Sequence, residues 1–81
     1  MIPIKAINVQ LTRSNARYVL HALRELEAKC QSVVHNPDSD EDDVFFYGND
    51  LMEAKAIRDE IEKLAVEAFG EDIKKFTHEL L

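Results

Sequence analysis

The chain has little of what marks a disulfide-linked, membrane-spanning or secreted protein. Its 81 residues include one cysteine, two glycines, two prolines and no tryptophan. One cysteine excludes a disulfide within the chain, and no apolar run approaches the roughly 18 residues that a membrane span needs. No charged start precedes a long apolar run, so we predict neither a signal peptide nor membrane association. These absences favour a cytoplasmic protein.

Motifs for catalysis and for metal binding are also missing. The glycine-rich phosphate-binding pattern, the dinucleotide-binding pattern and the H-E-x-x-H zinc pattern do not occur. The three histidines have no cysteine or second histidine at ligand spacing, so four converging zinc ligands cannot be assembled. We therefore predict no catalytic residue, no metal centre and no cofactor.

Basic residues are outnumbered by acids, and the excess lies in one stretch. The net charge is −6. Residues 36–50 carry six acids and no base, whereas residues 1–35 carry five bases and two acids. Because phosphate contacts need a basic face, this balance argues against nucleic acid as a partner of the whole chain.

What the sequence does have is two apolar stripes at helical spacing. Such a stripe keeps one side of a helix against a partner helix. The two stripes predict a mainly α protein, an antiparallel helical hairpin. The first stripe comprises Ala16, Val19, Leu23, Leu26, Cys30 and Val33, and the second comprises Ala54, Ile57, Ile61, Leu64 and Ala68.

Boundary signals divide this single small domain, residues 1–81, into segments. Thr12 or Ser14 offers a helix N-cap, Pro37 ends the first helix, and Gly70 suits the position just after the second. The predicted segments are a strand or arm over 1–11, a helix over 12–35, an acidic and aromatic loop over 36–49, a helix over 50–69 and a short helix over 71–80.

Two of these segments carry strand signals. Ile7, Val9 and Leu11 alternate along the N-terminal segment, which predicts a short strand that needs a pairing partner. Residues 44–47 form an aromatic run with high strand propensity, followed by a turn at Gly48. We expect this run to pair with the N-terminal strand or to pack on the open end of the hairpin.

The small size of the chain favours self-association. A chain of this length buries only about 60% of its unfolded surface, so the free energy of folding of a monomer is small. We therefore expect a homodimer in which two hairpins form a four-helix bundle. Leu23→Asp or Ile61→Asp should unfold it or dissociate it.

A row of basic residues is the first candidate partner-binding surface. It lies on one side of the first predicted helix, at steps of four, four and three. Such a row fits a carboxylate, a phosphate or an acidic helix, while an ordinary solvated face is the alternative. Its members are Arg13, Arg17, His21 and Arg24.

The acidic loop is the second candidate. Asp38, Asp40 and Asp42 match the first, third and fifth positions of a calcium-binding EF-hand loop, but Asp43 replaces the required glycine and Asn49 the required glutamate. A true EF-hand is therefore not predicted. A solvated loop, weak cation binding and a docking site for a basic partner remain open. The docking site would use Asp38, Asp40, Glu41, Asp42, Asp43, Phe45 and Phe46.

The function that this sequence favours is a small non-enzymatic protein-interaction module: an adaptor, a regulator or an inhibitor. It would act through a helical face and the acidic loop, on itself and on another protein. One alternative is a module that binds a divalent cation or small ligand at the loop. A second is an enzyme whose site forms at an oligomer interface.

Overall fold

Two long helices, packed side by side, make up most of the computed structural model, which describes residues 5–75 of the chain. Helix α1 spans Arg13–Val34, helix α2 spans Glu41–Phe69, and a short 3-10 helix spans Glu71–Lys74. Within residues 5–75 there is no strand. The mainly helical hairpin predicted from the two stripes is confirmed.

Helix α1 begins and ends at local signals in its own sequence. The Thr12 hydroxyl accepts a hydrogen bond from the Asn15 backbone N–H at 3.1 Å, and the Asn15 side chain accepts one from the Thr12 N–H at 3.4 Å. This reciprocal capping box satisfies N–H groups that have no partner inside the helix. At the other end the Ser39 hydroxyl donates to the Val33 carbonyl at 2.7 Å. The helix is one residue shorter at each end than predicted.

Helix α2 begins nine residues earlier than predicted, which is the main correction to the sequence analysis. Residues 41–49, expected in an acidic and aromatic loop, are helical, and the connection shrinks to residues 35–40. The prediction of a turn at Gly48 is therefore wrong. Residues 44–47 are helical despite their high strand propensity.

The early start of α2 has two physical causes. Glu41, Asp42 and Asp43 occupy the first turn, where the helix dipole favours negative charge. Val44 and Tyr47 are half-buried at the helical spacing that continues the face packed on α1. Packing overrides strand propensity here, and it outweighs the roughly 1 kcal/mol that a glycine costs inside a helix.

The two ends of the described chain differ from their predictions. Residues 5–12 form neither a helix nor a strand, so the predicted N-terminal strand is not confirmed. Gly70 ends α2 with a φ of 93°, a conformation that favours glycine. The predicted third helix is a 3-10 helix in its described part, and it buries Ile73 against the hairpin. The rest of that prediction, residues 76–80, lies outside the described residues.

The contact between the helices, which we call the seam, follows a heptad pattern offset from the predicted stripes. Its residues alternate steps of four and three, and all are buried or half-buried. In α1 they are Ala16, Leu20, Leu23, Glu27, Cys30 and Val34, and in α2 they are Val44, Tyr47, Leu51, Ala54, Arg58, Ile61 and Ala65.

Part of each predicted stripe lies off the seam and faces solvent. Leu26, Ile57 and Leu64 are 43%, 43% and 59% exposed. The described chain measures 42 by 40 by 15 Å, so it is about as thick as one layer of helices. Both broad sides of the hairpin are therefore accessible to a partner.

Candidate interaction surfaces

An ion pair occupies the middle of the seam. Arg58 Nε donates to Glu27 Oε2 at 2.6 Å, and Glu27 is buried. Both residues stand at heptad positions where an apolar side chain would be usual. A buried charge is stable only when it is paired and hydrogen-bonded, so each of these residues depends on the other.

Around this pair the charges form a connected network. Glu62 Oε2 accepts from Arg24 Nη2 at 2.8 Å and from Arg58 Nη1 at 3.2 Å. Arg24 Nη1 also donates to the Lys74 carbonyl at 2.7 Å, which ties the 3-10 helix to α1. We call this surface the ionic side; it consists of Arg24, Glu27, Arg58, Glu62 and Lys74.

The network shifts the proton affinities of its members. The hydrogen bond to Glu27 raises the pKa of Arg58, against the opposing effect of burial. Burial raises the pKa of Glu62, but the hydrogen bonds and positive charges of Arg24 and Arg58 together outweigh it and hold the pKa below 4.5. Glu62 is therefore ionised at neutral pH, and it accepts from two guanidinium groups.

The basic row predicted as a partner-binding surface is largely used by the fold itself. Arg17 is buried, and Arg24 belongs to the ionic side. His21 is half-buried, with its Nε2 atom 3.8 Å from Glu25 Oε1, and Arg13 is exposed in the first turn of α1. Of the four residues of the basic row, Arg13 is thus the one that remains exposed and outside the ionic side. That the row binds a partner stays a prediction.

The opposite side of the hairpin is apolar. Consecutive helical residues differ by about 100° in direction, so Ile57, just before the seam residue Arg58, and Glu62, just after the seam residue Ile61, lie on opposite flanks of the seam. Two hollows lie on this apolar side. One, of about 160 Å³, is lined by Leu23, Leu26 and Ile57 with Asp50 and Glu53 at its rim. We define the apolar side by Val19, Leu26, Ile57, Leu64 and Ala68.

The second hollow is larger and lies between the N-terminal segment and the C-terminal half of α2. Its volume is about 440 Å³. Its floor is formed by Ala16, Ile61 and Ala65, and Leu64 and Ala68 extend it onto the apolar side. The N-terminal segment contributes Ile7, Val9 and Leu11, and Phe69 completes the lining.

The start of α2 carries a third surface, which is acidic and aromatic. The acids of residues 38–43 are all exposed. Phe45 and Phe46 are exposed beside them, with ring centroids 5.6 Å apart at an interplanar angle of 77°. This edge-to-face geometry is favourable for an aromatic pair. The structure therefore brings the predicted acidic and aromatic residues together on the first two turns of α2 and the connection that precedes them.

The part of the chain that the structure describes shows no cluster of three side chains that would hold a metal ion. Neither α1 nor α2 has an apolar stretch that would cross a membrane. Cys30 is a free thiol buried in the seam.

The sequence pointed to Arg24 as part of the basic row, but the rest of the ionic side was missed because the contact between the helices was predicted from apolar residues only. A signal was present: Glu27 stands between Leu23 and Cys30 at heptad spacing, and Arg58 stands between Ala54 and Ile61. Two opposite charges at matching heptad positions of two antiparallel helices indicate a seam ion pair.

Comparison with known proteins gives no further guide, since no protein-family model, curated protein or solved structure matches the chain.

Proposed function

We propose that the protein is a non-enzymatic protein-interaction module that works as a homodimer, with two hairpins packed by their apolar sides into a four-helix bundle. The observation that carries this proposal is the exposed apolar side itself. Leu26, Ile57 and Leu64 are large apolar side chains with 43% or more of their surface in solvent. Contiguous exposed apolar area of this kind marks an interface.

The size of the apolar side suits a dimer. Helix α1 is about 33 Å long, and two packed helices are roughly 20 Å wide, so each broad side covers roughly 660 Å². A stable interface takes about 800 Å² from each partner. The rest would come from the N-terminal segment, where Ile7 and Val9 are exposed next to the larger hollow.

The ionic side is the poorer candidate for this contact. Its charges already have partners within the chain, including the bonds of Glu62 to Arg24 and Arg58. Covering it with a second copy would remove the remaining water from these groups without supplying new partners for them. Covering the apolar side with a second copy should therefore release more free energy than covering the ionic side.

A second surface would serve a different protein. Phe45, Phe46 and the acids of residues 38–43 lie at the loop end of the hairpin, whereas Leu64 and the larger hollow lie towards the other end of α2. Aromatic anchors ringed by like charge suit a basic, partly apolar segment of a partner, and the charge speeds its association. In this proposal the dimer is an adaptor or inhibitor located in the cytoplasm.

The two other functions considered from the sequence have less support. A cation site at the acidic segment would need converging ligands, and none of the described residues form such a cluster. An enzyme whose site forms between copies would need reactive groups on the apolar side, where the larger hollow is lined by hydrocarbon side chains and the smaller one adds only the carboxylates of Asp50 and Glu53.

Native mass spectrometry and light scattering over a concentration series test the dimer. We expect the wild-type chain to be a dimer and Leu64→Glu to be a monomer that keeps its helical circular dichroism. Met52→Glu is the matched control, because Met52 is equally apolar and 73% exposed but lies on the outer face of α2. A monomeric wild type, or equal dissociation by both variants, would overturn the proposal.

A further inference from the structure

The N-terminal arm, which we define as residues 5–11, carries the large apolar side chain with the greatest exposed fraction among the described residues. Ile7 is 87% exposed and Val9 is 65% exposed. These two residues and Leu11 nevertheless line the same hollow beside α2. Because every second residue faces the hollow, the arm has the two-residue periodicity of a strand.

What the arm lacks is a strand to pair with. Among residues 5–75, no backbone hydrogen bond joins the arm to another segment. The partner expected within the chain, residues 44–47, is part of helix α2. A lone strand is not stable in water, and none of residues 12–75 pairs with the arm, so we look for its pairing partner in a second copy of the chain.

We propose that the arms of two copies pair as an antiparallel two-stranded ribbon across the two-fold axis of the dimer. This inference rests on the homodimer proposed above, because the larger hollow continues onto the apolar side through Leu64 and Ala68. Centring the ribbon on Asn8 places Ile7 opposite the partner's Val9. Cross-strand pairs of β-branched residues are favourable, and both side chains would be covered together.

The remaining arm residues explain why the ribbon would stop at two strands. Asn8 and Gln10 alternate with the apolar residues and are exposed. Lys5 is also exposed and would lie at the outer end of each strand. Polar and charged edges discourage a third strand, and two-fold symmetry closes the pair. The occupant of the space beside the arm is therefore a second copy rather than an open series of chains.

Cysteine cross-linking tests the register directly. In the proposed ribbon the two Asn8 residues face each other with Cα atoms about 5 Å apart, within disulfide range. The two Lys5 residues would be roughly 20 Å apart, since each lies three residues from the axis at about 3.4 Å per residue. We expect Asn8→Cys to form an interchain disulfide under mild oxidation at least about tenfold faster than Lys5→Cys.

The control and the outcomes separate this inference from the dimer itself. Cys30 is common to both variants and fully buried, so its contribution cancels. If native mass spectrometry shows a dimer but the two variants cross-link equally or not at all, the ribbon is overturned and the dimer stands. Cross-linking of both at high rate would indicate parallel arms and would also overturn it. If no dimer forms, both proposals fail.

Discussion

The ionic side and the apolar side are built from the same two helices but use their side chains in opposite ways. On the ionic side Glu62 and Arg58 find their partners within the chain, at 2.8 to 3.2 Å for the bonds of Glu62. On the apolar side Leu64 and Ile57 find no such cover. The comparison shows that the charged groups of the ionic side are paired within one chain, whereas the apolar side leaves large hydrocarbon side chains exposed to solvent.

The largest effect should come from breaking the seam ion pair. Glu27→Leu leaves the Arg58 guanidinium largely buried without its main partner, and we expect a loss of about 3 kcal/mol in the free energy of unfolding. Urea denaturation at a fixed protein concentration measures this loss. Such a loss would show that Arg58 stabilises the fold only while its partner Glu27 is present.

The matched double variant sharpens that result. Glu27→Leu with Arg58→Met replaces both charges by apolar side chains of similar size, and it should recover most of the lost stability. If the double variant is as unstable as the single one, the cost comes from packing rather than from an unpaired charge.

The next effect should be confined to the apolar side. Leu64→Ala should lower stability by about 1–2 kcal/mol at concentrations where the dimer forms, because it removes part of a large side chain from the interface. Thermal unfolding measured across a dilution series should show the deficit shrinking as the protein dissociates. A deficit that does not change with concentration would place Leu64 inside the fold of one chain.

Acid should weaken the ionic side before it affects the apolar side. The pKa of Glu62 is lower in the folded chain than its ordinary value of 4.5, so the unfolded chain takes up the proton more readily. The stability that Glu62 contributes is therefore complete above pH 4.5 and is lost as the pH falls through the lower folded pKa. Glu62→Gln should cost about 1 kcal/mol at neutral pH and flatten this acid dependence in urea titrations.

The smallest effect should come from a substitution that stabilises helix α2 without altering the ionic side or the apolar side. A Cβ atom added at Gly48 would meet no atom within 4 Å, and the residue lies inside α2. Gly48→Ala should therefore raise the free energy of unfolding by about 0.5–1 kcal/mol. A decrease would show that residues 41–49 do not stay helical in solution, which would remove the acidic and aromatic surface from α2.

The helices could be predicted from the sequence because their signals are local. Heptad spacing, the cap at Thr12 and the break at Pro37 placed α1, and Gly70 placed the end of α2. The start of α2 could not be predicted this way. Its acids resemble a mobile loop until the helix dipole and the burial of Val44 are taken into account together.

The division into two sides was beyond sequence reasoning for a different reason. A wide apolar stripe does not say which of its residues meet the neighbouring helix, since Leu20 and Leu64 are equally apolar. The structure decides it: Leu20 is buried in the core, and Leu64 is largely exposed. Within the seam Glu27 and Arg58 meet although they are 31 residues apart in the chain, and local sequence patterns do not reveal a contact between such distant segments.

The short connection over residues 35–40 also has a kinetic consequence. The further a contact between the helices lies from this connection, the more residues of the chain separate its two partners. The separation is 31 residues for Glu27 with Arg58, 38 for Arg24 with Glu62, and 50 for Arg24 with the Lys74 carbonyl. Closing a longer segment has a higher entropic barrier. The hairpin should therefore fold by zipping outward from its connection, with the 3-10 helix joining last and opening first.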